Sequence, residues 1–275
     1  MTHSALLAQI KSKKSFLCVG LDVDQDRIPL GLKKESDPIF AFCKRIIEAT
    51  APYCVAYKPN IAFFEAYGLE GWKSLGKVIH FLNQNYPEIF TIADAKRADI
   101  GNTSKRYAKA YFEQFEFDSV TVAPYMGKDS VEPFLEYEGK HAILLALTSN
   151  DGASDFQLLN TNGGLLYEEV IEKSKQWKNS NRLMYVVGAT KAQALQQIRG
   201  RIPDSFILIP GVGAQGGSLE EVAINGLNDK CGLLVNSSRG IIYASSGSDF
   251  DLKAGDAAKE LQEQMAVHLT HKGII

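Results

Sequence analysis

Short apolar runs recur along the chain at residues 16–21, 54–57, 90–93, 119–123, 142–147, 183–187, 206–209 and 231–235. Between them, segments such as 38–49 and 71–82 place apolar side chains three and four residues apart, as a helix with one buried face does. Eight strand and helix units in alternation predict an α/β fold with a parallel sheet, and eight is the number that closes a (β/α)8 TIM barrel. An open doubly wound sheet is the competing architecture. It would carry a dinucleotide-binding glycine signature after its first strand, and the chain there reads Asp22-Val23-Asp24-Gln25-Asp26 without a glycine pair.

No linker, low-complexity tract or short repeat interrupts the pattern, so residues 1–275 are expected to form one barrel domain. The longest irregular stretch, 148–164, is rich in Asn, Asp, Ser and Gly, and a loop of that length is expected to be functional or mobile.

Composition narrows the partners. Hydrophobic residues make up 45% and charged residues 23% of the chain, with a net charge of -2, which gives no electrostatic basis for binding nucleic acid or an anionic membrane. No run approaches the roughly 18 apolar residues of a membrane span, and a cytoplasmic location is expected. Cys18, Cys43, Cys54 and Cys231 sit in apolar runs without CxxC spacing, which predicts buried thiols rather than disulfides or a zinc site. None of the five histidines ends a predicted strand, so no metal site is expected.

In a barrel the chemistry sits where the strands end, so the polar residues closing each run are the candidates. They are Asp22 after the first run, Lys58 after the second, Asp94 and Lys96 after the third, and Thr148 and Ser149 after the fifth. The seventh run leads into the glycine-rich turn Pro210-Gly211-Val212-Gly213-Ala214-Gln215-Gly216-Gly217, and the eighth into Asn236-Ser237-Ser238-Arg239-Gly240. The third is the densest: Asp94-Ala95-Lys96-Arg97-Ala98-Asp99-Ile100 gathers opposed charges at one strand end. Strand alternation would put Asp94 and Lys96 on one face, about 7 Å apart, with Asp99 beyond the strand. Glycines let backbone N–H groups approach phosphate oxygens and Arg239 adds a planar cationic fork, so a phosphorylated small ligand is expected. Structural readings stand beside these: a helix cap for Asp22, a solvated strand end for Lys58, a salt-bridge network for Asp94, Lys96 and Asp99, and an ordinary helix-capping turn for the glycines.

The pattern Asp94, Lys96, Asp99, Ile100 and Thr103 resembles the Asp-x-Lys-x-x-Asp-Ile-x-x-Thr signature of the orotidine 5'-phosphate decarboxylase family. Leu21-Asp22, Tyr57-Lys58-Pro59-Asn60, the turn from Pro210 to Gly217 and Ser238-Arg239 follow in the family's order, and the chain looks like the longer bacterial subfamily. The resemblance implies conversion of orotidine 5'-monophosphate to uridine 5'-monophosphate and carbon dioxide, the last step of de novo UMP biosynthesis, without a cofactor. It implies a catalytic array of Lys58, Asp94, Lys96 and Asp99, with Lys96 donating the proton to C6. Substrate would be bound by Asp22, Ile100, Thr103, Ser149, Pro210, Gln215, Ser238, Arg239 and Gly240. Either Thr148 or Ser149 could meet the pyrimidine, Ser149 fitting the spacing better. Asp99, Ile100 and Thr103 would reach the partner's site, which implies a homodimer with shared active sites.

Two other functions fit parts of the pattern. A metal-dependent keto-gulonate phosphate decarboxylase shares Asp-x-Lys-x-x-Asp but resembles a site with an acid at the second strand, where Lys58 would repel the metal. A non-catalytic pyrimidine phosphate sensor would need the phosphate loops and not the whole Lys-Asp array.

Overall fold

Strands buried on both faces have no polar side to present, and the eight apolar runs behave accordingly. In the computed structural model, which describes residues 1–212 and 217–275, they become β1 (Leu17–Leu21), β2 (Ala56–Pro59), β3 (Phe90–Arg97), β4 (Ser119–Val122), β5 (His141–Leu147), β6 (Leu183–Val187), β7 (Ile207–Pro210) and β8 (Leu233–Ser237). Each strand pairs in parallel with its neighbours in sequence, and β8 returns to β1, so the sheet is a closed (β/α)8 barrel. All four cysteines are free and buried.

The strand limits differ from the apolar runs in one consistent way. β2, β3, β7 and β8 continue past the last residue of the run into Lys58 and Pro59, Asp94 to Arg97, Pro210, and Asn236 and Ser237. Polar residues are placed on strand there because that end of the barrel is not filled with apolar side chains. At the other end, Cys231 and Gly232 both take positive φ in a turn closed by the Asn228–Cys231 bridge, which delays the start of β8.

The helices follow their apolar stripes. Pro38–Thr50 begins with Pro at its first turn and is capped by Asp37, whose carboxylate accepts from the Phe40 N–H at 3.0 Å. Gly68–Asn85 and Phe250–His271 are the longest of the outer ring. A further helix, His3–Lys13, precedes β1, and its His3 ring stacks on that of His141, the first residue of β5, with centroids 4.6 Å apart.

Residues 148–164 are less irregular than their composition suggests. They contain a helical turn, Ala153–Phe156, and the two-residue strand Asn160–Thr161, paired antiparallel with Gly164–Leu165. Gln157 folds the segment back on β5, accepting from the Thr148 N–H and donating to its hydroxyl, both at 2.8 Å. Among the described residues no helix is long and apolar enough to cross a membrane.

Candidate active site

At the carboxyl end of the barrel, residues from β1, β2, β3, β7 and β8 and the loops after them surround a cavity of about 270 Å3. Asp22, Lys58, Asp94, Pro210, Asn236, Ser238 and Arg239, all named in the sequence from the ends of the apolar runs, line it together with Asn60 and Phe63, which the strand-end reading did not single out. Phe63 escaped because it arrives on the short helix Ile61–Glu65 beyond β2.

Asp94 is the centre of the charge arrangement. Lys58 Nζ donates to its Oδ2 at 2.7 Å and Lys96 Nζ to its Oδ1 at 2.6 Å, so each carboxylate oxygen takes one ammonium. Lys58 is 5% exposed and Asp94 11%, whereas Lys96 is 53% exposed. Burial works against charge on both Lys58 and Asp94, but their mutual attraction prevails. The carboxylates of Asp94 and Asp22 hold the Lys58 ammonium above the ordinary lysine value, and Lys58 and Lys96 hold Asp94 below the ordinary carboxylate range. A buried Lys58 is not a solvated strand end.

The geometry at Lys96 differs from a regular strand. The register between β3 and β4 runs Ala93 to Val120 and then Arg97 to Val122, so four steps on β3 match two on β4. Within this bulge Lys96 adopts φ +48°, a conformation that L-residues other than Asn and Asp seldom take. Asp94 and Lys96 therefore meet through a distorted backbone rather than by period-two alternation. Thr121 supports the distortion: its Oγ1 accepts from the Lys96 N–H at 2.9 Å and donates to Asp94 Oδ1 at 3.2 Å. A threonine inside an apolar strand gave no sign of this in the sequence.

Asp22 is not a helix cap. Its Oδ2 accepts from Ser238 Oγ at 2.6 Å, and its Oδ1 is buried without a described partner. The Ser238 side chain comes so close to β1 that a Cβ on Gly20 would stand 2.4 Å from its Oγ, so a larger residue there would displace Ser238 from Asp22.

Asp99, Ile100, Thr103, Ser149 and Gly240 are not among the residues lining this cavity. Asp99 Oδ1 accepts from the Ile100 N–H at 2.7 Å, and its backbone N–H and carbonyl both bond the Ser104 hydroxyl. Asp99 therefore takes no part in the salt-bridge network of Lys58, Asp94 and Lys96. Ile100 is 60% exposed, and Thr103 is on the first turn of Gly101–Lys109. Ser149 follows β5 and packs against Gly188, where a Cβ would be 2.7 Å from its own. Its neighbour Thr148 is engaged with Gln157 and Asn150, whereas Ser149 has no side-chain hydrogen bond to a described residue. Gly240 is in the helical turn Arg239–Ile242. Gln215 lies outside the described residues. Among the described residues no three His, Cys, Asp or Glu side chains are grouped to hold a metal ion.

Comparison with known proteins converges on one family. The profile of the Orotidine 5'-phosphate decarboxylase / HUMPS family matches residues 15–248. An orotidine 5'-phosphate decarboxylase of Flavobacterium johnsoniae is 65% identical over 266 residues, 97% of each chain. One of Bacteroides fragilis is 58% identical over 270 residues, 98% of each chain. Among solved structures, the OMP decarboxylase of Leishmania donovani superposes with a TM-score of 0.85 at 38% identity, covering 98% of this chain and 99% of that one.

Proposed function

Because the chain belongs to the Orotidine 5'-phosphate decarboxylase / HUMPS family, we propose that it converts orotidine 5'-monophosphate to uridine 5'-monophosphate and carbon dioxide, the last step of de novo UMP biosynthesis. The observation that carries this reading is the carboxylate of Asp94 held between the ammonium groups of Lys58 and Lys96 at the wall of the cavity.

Breaking the C6–carboxylate bond releases carbon dioxide and leaves an electron pair on C6. Stabilising that pair without an electron-sink cofactor requires a fixed cation beside the carbon. Lys96 is that cation in our reading: its ammonium faces the developing charge and then gives a proton to C6, and solvent restores the proton to Nζ. Asp94 holds the Lys96 ammonium in place, and its own charge opposes the substrate carboxylate that must leave. Lys58 fixes Asp94 from the buried side.

The rest of the site would bind the nucleotide. Arg239 and Gln215, with Pro210, Ser238 and Gly240 nearby, take the phosphate, and Ser149 takes the pyrimidine. Asp22 suits the ribose, since its Oδ1 still needs a donor. Phosphate contacts are remote from C6, and their binding energy serves to orient the reacting ring.

Asp99, Ile100 and Thr103 complete the site of a second copy, making the enzyme a homodimer with shared active sites. The reading is supported by the position of Asp99 off its own chain's network and by the bare apolar side chain of Ile100. Buried free thiols suit the reducing cytoplasm, and a net charge of -2 gives no electrostatic basis for nucleic acid or an anionic membrane as a partner.

The decisive experiment adds the purified protein to orotidine 5'-monophosphate and follows loss of the substrate's ultraviolet absorbance together with formation of uridine 5'-monophosphate. Conversion that survives a chelator is expected. No conversion by folded protein would sink the assignment, and a metal requirement would favour the keto-gulonate phosphate type of reaction.

A further inference from the structure

The bulge in β3 leaves the Lys96 N–H without a place in the sheet ladder, because β4 advances only from Val120 to Val122 while β3 runs from Ala93 to Arg97. Thr121 Oγ1 receives that N–H at 2.9 Å. The hydroxyl has one proton of its own, with two acceptors in range: the Asp94 carboxylate at 3.2 Å and the Ala93 carbonyl at 3.5 Å. The nearer, charged acceptor is the stronger one.

Thr121 is 1% exposed and is flanked on β4 by the fully buried Val120 and Val122. A valine would fill the same space with equal preference for strand and no polar group to desolvate. The hydroxyl is therefore unneeded by the sheet itself, and its two strong contacts both belong to the Lys96–Asp94 pair. One contact ties the left-handed backbone of Lys96, and the other ties the oxygen to which the Lys96 ammonium is bonded.

We propose that Thr121 is a positioning residue for the decarboxylation, its single hydroxyl fixing both ends of the Lys96 side chain, the backbone from which it springs and the Asp94 oxygen that receives its ammonium. The proposal rests on the activity argued above and adds to it a group that touches no substrate. Without the hydroxyl, the Lys96 N–H has no partner in the bulge and Asp94 Oδ1 loses one of its two donors. The ammonium then samples positions away from C6, which affects the chemical step more than nucleotide affinity.

The test compares Thr121→Val, Thr121→Ala and Thr121→Ser with the wild-type enzyme, measuring kcat, KM, uridine 5'-monophosphate binding and urea denaturation. For Thr121→Val a kcat lower by about tenfold to a hundredfold is expected, the range that misplacement of a reacting group produces. KM and product affinity should move by less than about threefold, and Thr121→Ser should regain most of the lost kcat. Thr121→Ala, which cannot crowd the site, carries the same expectation should the valine variant not fold. The proposal fails if kcat is unchanged in Thr121→Val, if Thr121→Ser is as impaired as Thr121→Val, if kcat and product affinity fall together, or if neither Val nor Ala variant folds. An active wild type with an unimpaired Thr121→Val removes this proposal alone, whereas an inactive wild type removes the decarboxylase reading and the proposal with it.

Discussion

Lys58 donates to Asp94 Oδ2 over 2.7 Å with both side chains almost out of water. Removing one partner of such a pair leaves a buried charge uncompensated, which costs more than the pair itself contributes. Asp94→Asn keeps the shape and deletes the charge, and is expected to lower stability by about 3 kcal/mol while abolishing turnover. The loss should be flat with pH near neutrality. Asp94 is held below its ordinary value, so its contribution is full above the carboxylate range and fades only in acid. Lys58 is held above its ordinary value of 10.5, so its contribution is full below that pH and fades only as alkali passes it. Urea midpoints of both proteins across the neutral range check this, and a difference that vanishes at neutral pH would contradict the pairing.

Lys96 shares the same carboxylate, yet its side chain is half in solvent. Truncating it removes the cation beside C6 without burying an unpaired group. Lys96→Ala is therefore expected to lose essentially all turnover while changing stability by no more than about 0.5 kcal/mol. Uridine 5'-monophosphate should still bind, which calorimetry would show. Near-normal turnover would take Lys96 out of the mechanism.

The contrast between these two lysines marks how far the sequence could be read. Apolar runs predicted all eight barrel strands because parallel strands buried on both faces are apolar throughout. The same rule stopped β2, β3, β7 and β8 short, since residues that line the cavity, Lys58, Asp94, Pro210 and Asn236, stand at their ends. Asp22, Lys58, Asp94, Ser238 and Arg239 were legible by their places after successive runs. The depth of Lys58 and the exposure of Lys96 were not, because burial at a strand end depends on what the neighbouring strands and loops put over it. The left-handed turn at Lys96 has no residue signature, as glycine or asparagine would have supplied, and Thr121 was hidden for the same reason.

The opposite end of the barrel predicts a pH effect on stability without one on chemistry. His3 stacks on His141, and burial, with the neighbouring His141 second, lowers the value of His3 to about 4. The unfolded chain takes up this proton near the ordinary 6.5, so stability is full above that pH and falls as pH drops from 6.5 towards 4. The loss from His3 should be of order 3 kcal/mol. His141 is lowered as well, chiefly by burial, and adds to the slope. Thermal melting of wild type and His3→Phe against pH distinguishes the cause: the variant should lose part of the acid sensitivity, and an identical profile would exclude His3.

Asp99 supplies the sharpest test of the assembly. Its carboxylate bonds its own following amide and stands off the Lys58–Asp94–Lys96 network, although it is only three residues from Lys96. In a homodimer with shared sites, each site takes Lys96 from one subunit and Asp99 from the other. Homodimers of Lys96→Ala and of Asp99→Ala are then both inactive. Exchange between them creates heterodimers in which the Lys96→Ala chain lends its intact Asp99 to the site formed by the Asp99→Ala chain, which retains Lys96. One of the two sites is whole and the other lacks both groups. After complete random exchange of equal amounts, half of the dimers are heterodimers with half of their sites intact, so activity should return to about a quarter of the wild-type value. Mass spectrometry can establish that exchange has occurred. Activity that stays at the level of the parents after confirmed exchange would place Asp99 outside the partner's site.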